Sequence, residues 1–407
     1  MPLSVLIAGG GTGGHLYPGI AVARELLARV PDAQVTFVGT AAGIEARVVP
    51  REGFALDVIR SAGLRGKSAQ SLARGMALLP VSAGDAWRVI TRTRPAVVVG
   101  VGGYSSGPVV LLAALRGIPT LLMEQNAMPG ITNRLLAPVV DAAAVTYQES
   151  VRFFGSKAVV SGNPVRPEFF QEEEAHGHDV GTPSRAARDG DPAVGTPSRV
   201  ARDGDPAVGT PSRVARDGDP AVPPPGAARV LVFGGSQGAH AINVAMVEAA
   251  ARLAAGTPRV AITHQTGERD LEMVRSGYRR AGLEARVEPF LFAMDREMKT
   301  ADLVICRAGA TTLAELTASG KASILVPLPT ATDDHQRRNA LALVTHGAAR
   351  MVEQRELSGD RIAAELLALA GDEAQRRRMG EAARRMARPD AARVIVDRLL
   401  ALAGRTG

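Results

Sequence analysis

The residues best suited to chemistry open the chain. Gly9-Gly10-Gly11-Thr12-Gly13-Gly14-His15 joins a glycine-rich turn to an imidazole. Such a turn, placed before a helix, presents bare backbone N–H groups to an anion. Neutral imidazole accepts a proton near pH 7, so His15 is a candidate general base. A capping or substrate-contacting His without proton transfer is the other reading. Gly102-Gly103-Tyr104-Ser105-Ser106-Gly107-Pro108 repeats the theme, and Gly234-Gly235-Ser236-Gln237-Gly238-Ala239 repeats it again. The turns could line one cleft from both sides, or serve helix–strand packing alone.

The first turn parses as GxGxxG, a weak pattern by itself. A nicotinamide enzyme places an acid at the end of its second strand. Here QVTFVGTAAG puts Gly39 and Thr40 there. A P-loop requires Lys where His15 stands. Further along, Cys306-Arg307-Ala308-Gly309-Ala310-Thr311-Thr312-Leu313-Ala314-Glu315 follows an apolar run and opens a helix. The free N–H groups of that helix start suit a diphosphate. Glu315 can accept both hydroxyls of a ribose, or stand as a solvated carboxylate favoured by the helix dipole. Glu124-Gln125-Asn126 ends a strand and points into a cleft, or forms a turn with Pro129-Gly130. Arg166, in GNPVRP, pairs with phosphate in a fork or with a surface carboxylate. Asp333-Asp334-His335-Gln336 has metal-like spacing. With no further His or Asp cluster beside it, a sugar-contacting loop is the better reading, and no metal is expected.

Strands must aim these groups. Ser4–Ala8, Gln34–Gly39, Val97–Val101, Thr120–Met123 and Ala142–Val145 read as strands of a first block. Val230–Phe233, Val260–Thr263, Arg286–Pro289, Leu303–Cys306 and Ser323–Val326 read as strands of a second. Helical stretches alternate with them, the first carrying Ile20, Ala23, Leu26 and Leu27 on one face. This is the spacing of parallel, doubly wound sheets. The expectation is an α/β protein of two Rossmann-like domains facing each other across a cleft. Ala96–Leu115 is twenty residues without a charge. Its glycines, serines and Pro108 fit strand, turn and helix better than a membrane span. No basic residue precedes Arg24, so a secretory signal is not expected.

The chain has 407 residues, one cysteine, 3% aromatics and a net charge of +7. A single cysteine excludes an internal disulfide framework and a cysteine-cluster zinc site. So few aromatics argue against base stacking, and no nucleic-acid partner is expected. Residues 171–226 stand apart. From Val180 to Ala221 a 14-residue unit, VGTPSRAARDGDPA, is written three times, with Val200 and Val214 in place of Ala186. Its small residues cannot bury enough apolar surface to offset their ordering entropy, so it is read as a disordered insert without chemistry. The insert carries −4, which leaves +11 on the other 351 residues. That surplus suits diphosphates or an anionic membrane face.

GGGTGGHLYP, GGYSSGP, EQNAMPGITNRLL, GNPVR, GGSQGA, CRAGATTLAEL and DDHQRRNA occur in this order. With them the chain resembles the MurG family over nearly all of its non-repeat residues. The resemblance implies the GT-B fold. Residues 1–165 would form the acceptor domain and 227–389 the UDP-GlcNAc domain. A last helix within 390–407, about Ala391–Ala403, would cross back onto the first domain. The implied reaction is an inverting transfer of N-acetylglucosamine from UDP-GlcNAc to the MurNAc 4-hydroxyl of undecaprenyl-pyrophosphoryl-MurNAc-pentapeptide (lipid I). It would make lipid II for peptidoglycan at the cytoplasmic face of the bacterial inner membrane, without a cofactor. By resemblance, Thr12, Gly13, Gly14, Asn126, Arg166, Ser236, Leu291, Ala310, Thr311, Thr312, Leu313, Ala314, Glu315 and Gln336 bind the donor. Leu291 would lie against uracil, Glu315 would take the ribose and Gln336 the sugar hydroxyls. Gly102, Gly103, Tyr104 and Ser105 would meet the acceptor pyrophosphate, and His15 matches the proposed base. Leu72–Trp87, with Arg74 and Arg88 beside it, would dock on the anionic leaflet, or is an ordinary amphipathic helix. Cell-wall synthesis and division proteins are implied partners. The insert is foreign to the family pattern, and Phe292-Ala293 stands where acidic residues are usual. The competing readings are a GT-B transferase with another lipid or natural-product acceptor, a nicotinamide oxidoreductase, and a non-catalytic nucleotide-sugar sensor.

Overall fold

The apolar runs form strands buried on both faces, as a parallel sheet flanked by helices requires; all of Val97–Gly102 and Leu303–Cys306 is buried. The computed structural model describes residues 2–61, 78–170, 226–235 and 238–405. The 14-residue repeats, Ser236 and the first part of Leu72–Trp87 lie outside the described residues.

In the first lobe the strands are β1 (Ser4–Gly9), β2 (Gln34–Gly39), β3 (Ala55–Val58), β4 (Val97–Gly102), β5 (Thr120–Glu124), β6 (Ala142–Val145) and β7 (Ala158–Val160). They pair in parallel in the order β3-β2-β1-β4-β5-β6-β7. The helices are α1 (Gly13–Arg29), α2 (Glu45–Arg51), α3 (Leu79–Thr93), α4 (Ser106–Leu115) and α5 (Ile131–Leu136). In the second lobe, β8 (Ala228–Phe233), β9 (Val260–Gln265), β10 (Ala285–Glu288), β11 (Leu303–Cys306), β12 (Ser323–Leu325) and β13 (Ala349–Met351) are ordered β10-β9-β8-β11-β12-β13, again all parallel. Its helices are α6 (His240–Ala254), α7 (Leu271–Ala281), α8 (Met294–Thr300), α9 (Ala310–Ser319), α10 (His335–Thr345), α11 (Gly359–Gly371) and α12 (Glu373–Met386). Strand order reverses between β1 and β4, and between β8 and β11. Crevices open at such switch points, outside the carboxyl ends of the strands. The first two glycine turns and the start of α9 all lie at these ends.

The uncharged stretch Ala96–Leu115 becomes β4, a turn and α4. No helix among the described residues is long and apolar enough to cross a membrane. Three strands have no counterpart in the sequence reading: β3, β7 and β13. Each is a half-exposed sheet edge of only three or four residues.

The chain ends in α13 (Ala391–Leu402). Ile395, Val396, Leu399 and Leu400 of α13 share one buried cluster with Leu16, Ile20, Ala23 and Leu26 of α1. Arg29 and Asp397 add an ion pair at 2.6 Å. The chain's last helix therefore completes the core of its first lobe. Leu399 is fully buried, so Leu399→Ala leaves a cavity worth about 2–5 kcal/mol. A thermal melt should show a clear drop in Tm, whereas truncating the exposed Arg393 to Ala should leave it nearly unchanged.

Candidate active site

The first and second glycine turns are built against each other. The Gly10 N–H donates to the Gly102 carbonyl at 3.3 Å. A methyl group on Gly9 would stand 2.4 Å from that carbonyl oxygen, and one on Gly103 would stand 2.5 Å from the Gly10 oxygen. All of these residues have positive φ, so the approach needs glycine for both space and conformation. The Tyr104 ring lies over the first turn, 3.4 Å from where a Gly11 methyl would be.

The first turn is less open to an anion than its sequence implies. The Gly11 N–H donates to a carboxylate oxygen of Glu45 at 2.8 Å. The other Glu45 oxygen accepts from the Thr40 backbone N–H and hydroxyl at 2.8 and 3.0 Å. Glu45 is buried, and its carboxylate fills the space beside Gly10, Gly39 and Gly43. The sequence shows no acid at the end of β2, yet Glu45 reaches back to that place and closes it from within. The expectation of bare N–H groups along the whole turn is corrected accordingly. The groups left for a ligand are those of Thr12, Gly13 and Gly14, where α1 begins without a side-chain cap.

His15 sits on the first turn of α1, against the Gly102 backbone. Its Nδ1 is 3.1 Å from Gln125 Oε1, and Gln125 Nε2 donates to the Val101 carbonyl at 3.0 Å. Gln125 is almost wholly buried.

The two lobes meet at helix starts. Thr311, in the first turn of α9, donates its hydroxyl to the Gly14 carbonyl in the first turn of α1 at 2.8 Å. Asn163 reaches the same hydroxyl at 3.5 Å. The N-cap of α9 is Gly309, with no side chain to occupy the free N–H groups. The Arg166 guanidinium lies over the rings of Tyr17 and Phe169, at 5.4 and 5.1 Å. Glu315 keeps some surface exposure. Burial nevertheless pushes its carboxyl up to about 7; Arg166 opposes the rise and Asp295 adds to it.

Other predicted positions fall elsewhere. Asn126 uses its side chain to join the lobes, accepting from Asn339 Nδ2 at 3.2 Å and donating to Glu124 at 3.2 Å. Asn339 Oδ1 accepts from the Ala127 N–H at 3.0 Å, and Arg134 pairs with Asp333 at 2.6 Å. Gln336 accepts from the Leu328 N–H at 3.0 Å, which leaves its amide NH2 for a ligand. Leu291, Ala310 and Leu313 are core side chains, so only their backbones can serve. Ser105 is buried with an unpaired hydroxyl, so it presents no side chain at the cleft surface. Glu124 is a structural clamp, accepting from Gly130 N at 3.0 Å and Asn133 Nδ2 at 2.9 Å. The sequence reading left Glu45 and Asn339 unassigned, and took Gln125 only as part of the cleft-facing Glu124-Gln125-Asn126 group.

Parallel α/β lobes that meet at the carboxyl ends of their switch-point strands define the GT-B fold. Residues 5–145 match the glycosyltransferase family 28 N-terminal domain, and residues 229–395 match the family 28 C-terminal domain. A UDP-N-acetylglucosamine–N-acetylmuramyl-(pentapeptide) pyrophosphoryl-undecaprenol N-acetylglucosamine transferase of Pelobacter propionicus is 49% identical over 98% of this chain and 99% of its own. One of the same name from Anaeromyxobacter sp. strain K is 43% identical, over 97% and 92%. The crystal structure of Acinetobacter baumannii MurG is 28% identical with a TM-score of 0.70, covering 98% of this chain and 100% of that one. The chain belongs to the MurG family.

The raised carboxyl of Glu315 has a consequence for stability. The folded state holds this proton up to about pH 7, while the unfolded chain releases it near the ordinary glutamate range. Stability therefore falls as pH rises through that window. Glu315→Gln removes the dependence, so its Tm relative to wild type should be higher at pH 8 than at pH 4.5.

Proposed function

We propose that this chain transfers N-acetylglucosamine from UDP-GlcNAc to the 4-hydroxyl of MurNAc in lipid I, forming lipid II. The observation that carries the reading is the meeting of two uncapped helix starts beside one imidazole, at the Thr311–Gly14 hydrogen bond of 2.8 Å.

The chemistry follows from these groups. The acceptor 4-hydroxyl oxygen attacks the anomeric carbon from the face opposite the α-linked diphosphate. The new C–O bond forms as the bond to the leaving phosphate oxygen breaks, giving a β-linkage. The electron pair leaves with UDP, and the hydroxyl proton passes to His15. General-base assistance of this kind contributes roughly 10²–10⁴-fold. The departing diphosphate gains negative charge, which the N–H groups at the start of α9 stabilise without reorganising. Arg166 adds positive charge beside Glu315. Glu315, when ionised, accepts the ribose hydroxyls. Gln336 meets the sugar through its free amide NH2, and the turn at Gly103-Tyr104 faces the acceptor pyrophosphate.

A membrane-facing surface fits the acceptor. Leu79 and Trp87 on α3, Leu111 and Leu115 on α4, and Ile131 and Leu135 on α5 are exposed, Leu115 and Leu135 by 71% and 74%. These helices pack side by side, and the Arg116 guanidinium lies 4.5 Å from the Trp87 ring centroid. Apolar side chains rimmed by arginines suit the anionic cytoplasmic leaflet. Cell-wall synthesis and division proteins are natural neighbours of that location.

The test is transfer of labelled GlcNAc to a lipid I analogue, beside a panel of other lipid and aglycone acceptors. Transfer to lipid I is expected; transfer only to another acceptor overturns the substrate assignment. His15→Ala should bind UDP-GlcNAc within about twofold of wild type and lose at least about 10² in kcat. Retained turnover would remove His15 as the base. For the surface, Leu115→Ser with Leu135→Ser should reduce sedimentation with anionic vesicles severalfold and leave activity on a detergent-dispersed acceptor unchanged.

A further inference from the structure

Gln125 sits behind His15, its side chain spent on the imidazole and on the β4 backbone. Its side-chain amide has two ends of opposite hydrogen-bonding character, and the fold specifies which end points where. One end meets the Val101 carbonyl at 3.0 Å. A backbone carbonyl only accepts, so that end must be the NH2. The other end, which meets His15 Nδ1 at 3.1 Å, is then the amide oxygen. That oxygen also only accepts, so Nδ1 must carry the hydrogen. Gln125 is 2% exposed, so water does not replace either contact.

We propose that Gln125 is a positioning residue that holds His15 in its Nδ1–H tautomer, leaving the Nε2 lone pair to take the acceptor's hydroxyl proton. This rests on the reading of His15 as the base. Without the contact, the ring can place its hydrogen on Nε2, and an imidazole protonated there cannot accept a proton at that atom. Among the described residues Nε2 has no hydrogen-bond partner, as a waiting base requires. The ring plane is fixed as well. A methyl group on Gly102 would stand 2.8 Å from Nδ1, so the imidazole lies flush on the β4 terminus with Nδ1 turned inward to Gln125.

The acidic neighbours do not substitute for this contact. Glu45, beneath the first turn, is engaged by Gly11 and Thr40. Glu124, one residue before Gln125, is engaged by Asn126, Gly130 and Asn133. Neither carboxylate is hydrogen-bonded to the imidazole, so a neutral amide alone sets the tautomer. The imidazolium that forms during transfer has no carboxylate bonded to it.

The test combines spectra and kinetics on the full-length enzyme. Nitrogen-15 spectra of histidine-labelled protein, with the His15 signals identified by their loss in His15→Ala, should show the hydrogen on Nδ1 in wild type. They should show a shift of population to Nε2 in Gln125→Leu. That variant should lose about tenfold or more in kcat, with KM for UDP-GlcNAc within about twofold. Gln125→Glu keeps an acceptor at Nδ1 and adds a charge that favours imidazolium. It should restore much of kcat, with the acid limb of the pH profile moved up by about one unit or more. Hydrogen on Nε2 in wild type overturns the proposal, as does a wild-type kcat and pH profile in both variants. Should Gln125→Leu fail to fold, the Gln125→Glu profile and the wild-type spectrum still decide. If His15→Ala retains turnover, the base reading fails, while the wild-type spectrum still reports on Gln125.

Discussion

Backbone meets backbone where the first and second glycine turns cross, and the rest of the site depends on that approach. At the separations between Gly9 or Gly10 and Gly102 or Gly103, no side chain fits. Because β1 and β4 are adjacent strands at a switch point, their following helices lie on opposite faces of the sheet, and the turns meet at the apex between them. His15 inherits its place from this arrangement: α1 starts there, and the ring is pressed on Gly102. Glu45 reinforces the apex from below by accepting from the Gly11 N–H.

Electrostatics at the second lobe are arranged differently. Glu315 and Arg166 attract each other without a direct hydrogen bond, and burial keeps about half of the carboxyl protonated at pH 7. Arg307, just before α9, binds the Val326 and Pro327 carbonyls and Gln354 rather than a carboxylate. Burial lowers its guanidinium pKa. Cys306 beside it is fully buried, and burial pushes its thiol up. That cysteine packs; it does not react.

Interior strands were legible from sequence because both faces are buried, which writes a continuous apolar run. ALDV, AVV and ARM, three of the four edge strands, are short and half exposed and read as ordinary loop, whereas the fourth edge, β10, was legible. Glycine turns and the helix start at Ala310 were legible for a similar reason, since local chemistry marks them. Partners that reach across the fold were not. Glu45 returns to Thr40 from α2, Gln125 faces a residue 110 positions earlier, and Asn339 meets Asn126 from 213 positions away. Each is an ordinary polar residue until the sheet order brings its partner near. Leu291, Ala310 and Leu313 show the converse: their positions border the site, while their side chains belong to the core.

The hydrogen bond between Thr311 and Gly14 joins two helices at their N-terminal ends. Each end carries the equivalent of about half a positive charge, so like poles face each other where the lobes touch. The Arg134–Asp333 ion pair and the Asn126–Asn339 hydrogen bond, both between the lobes, hold them together against that repulsion.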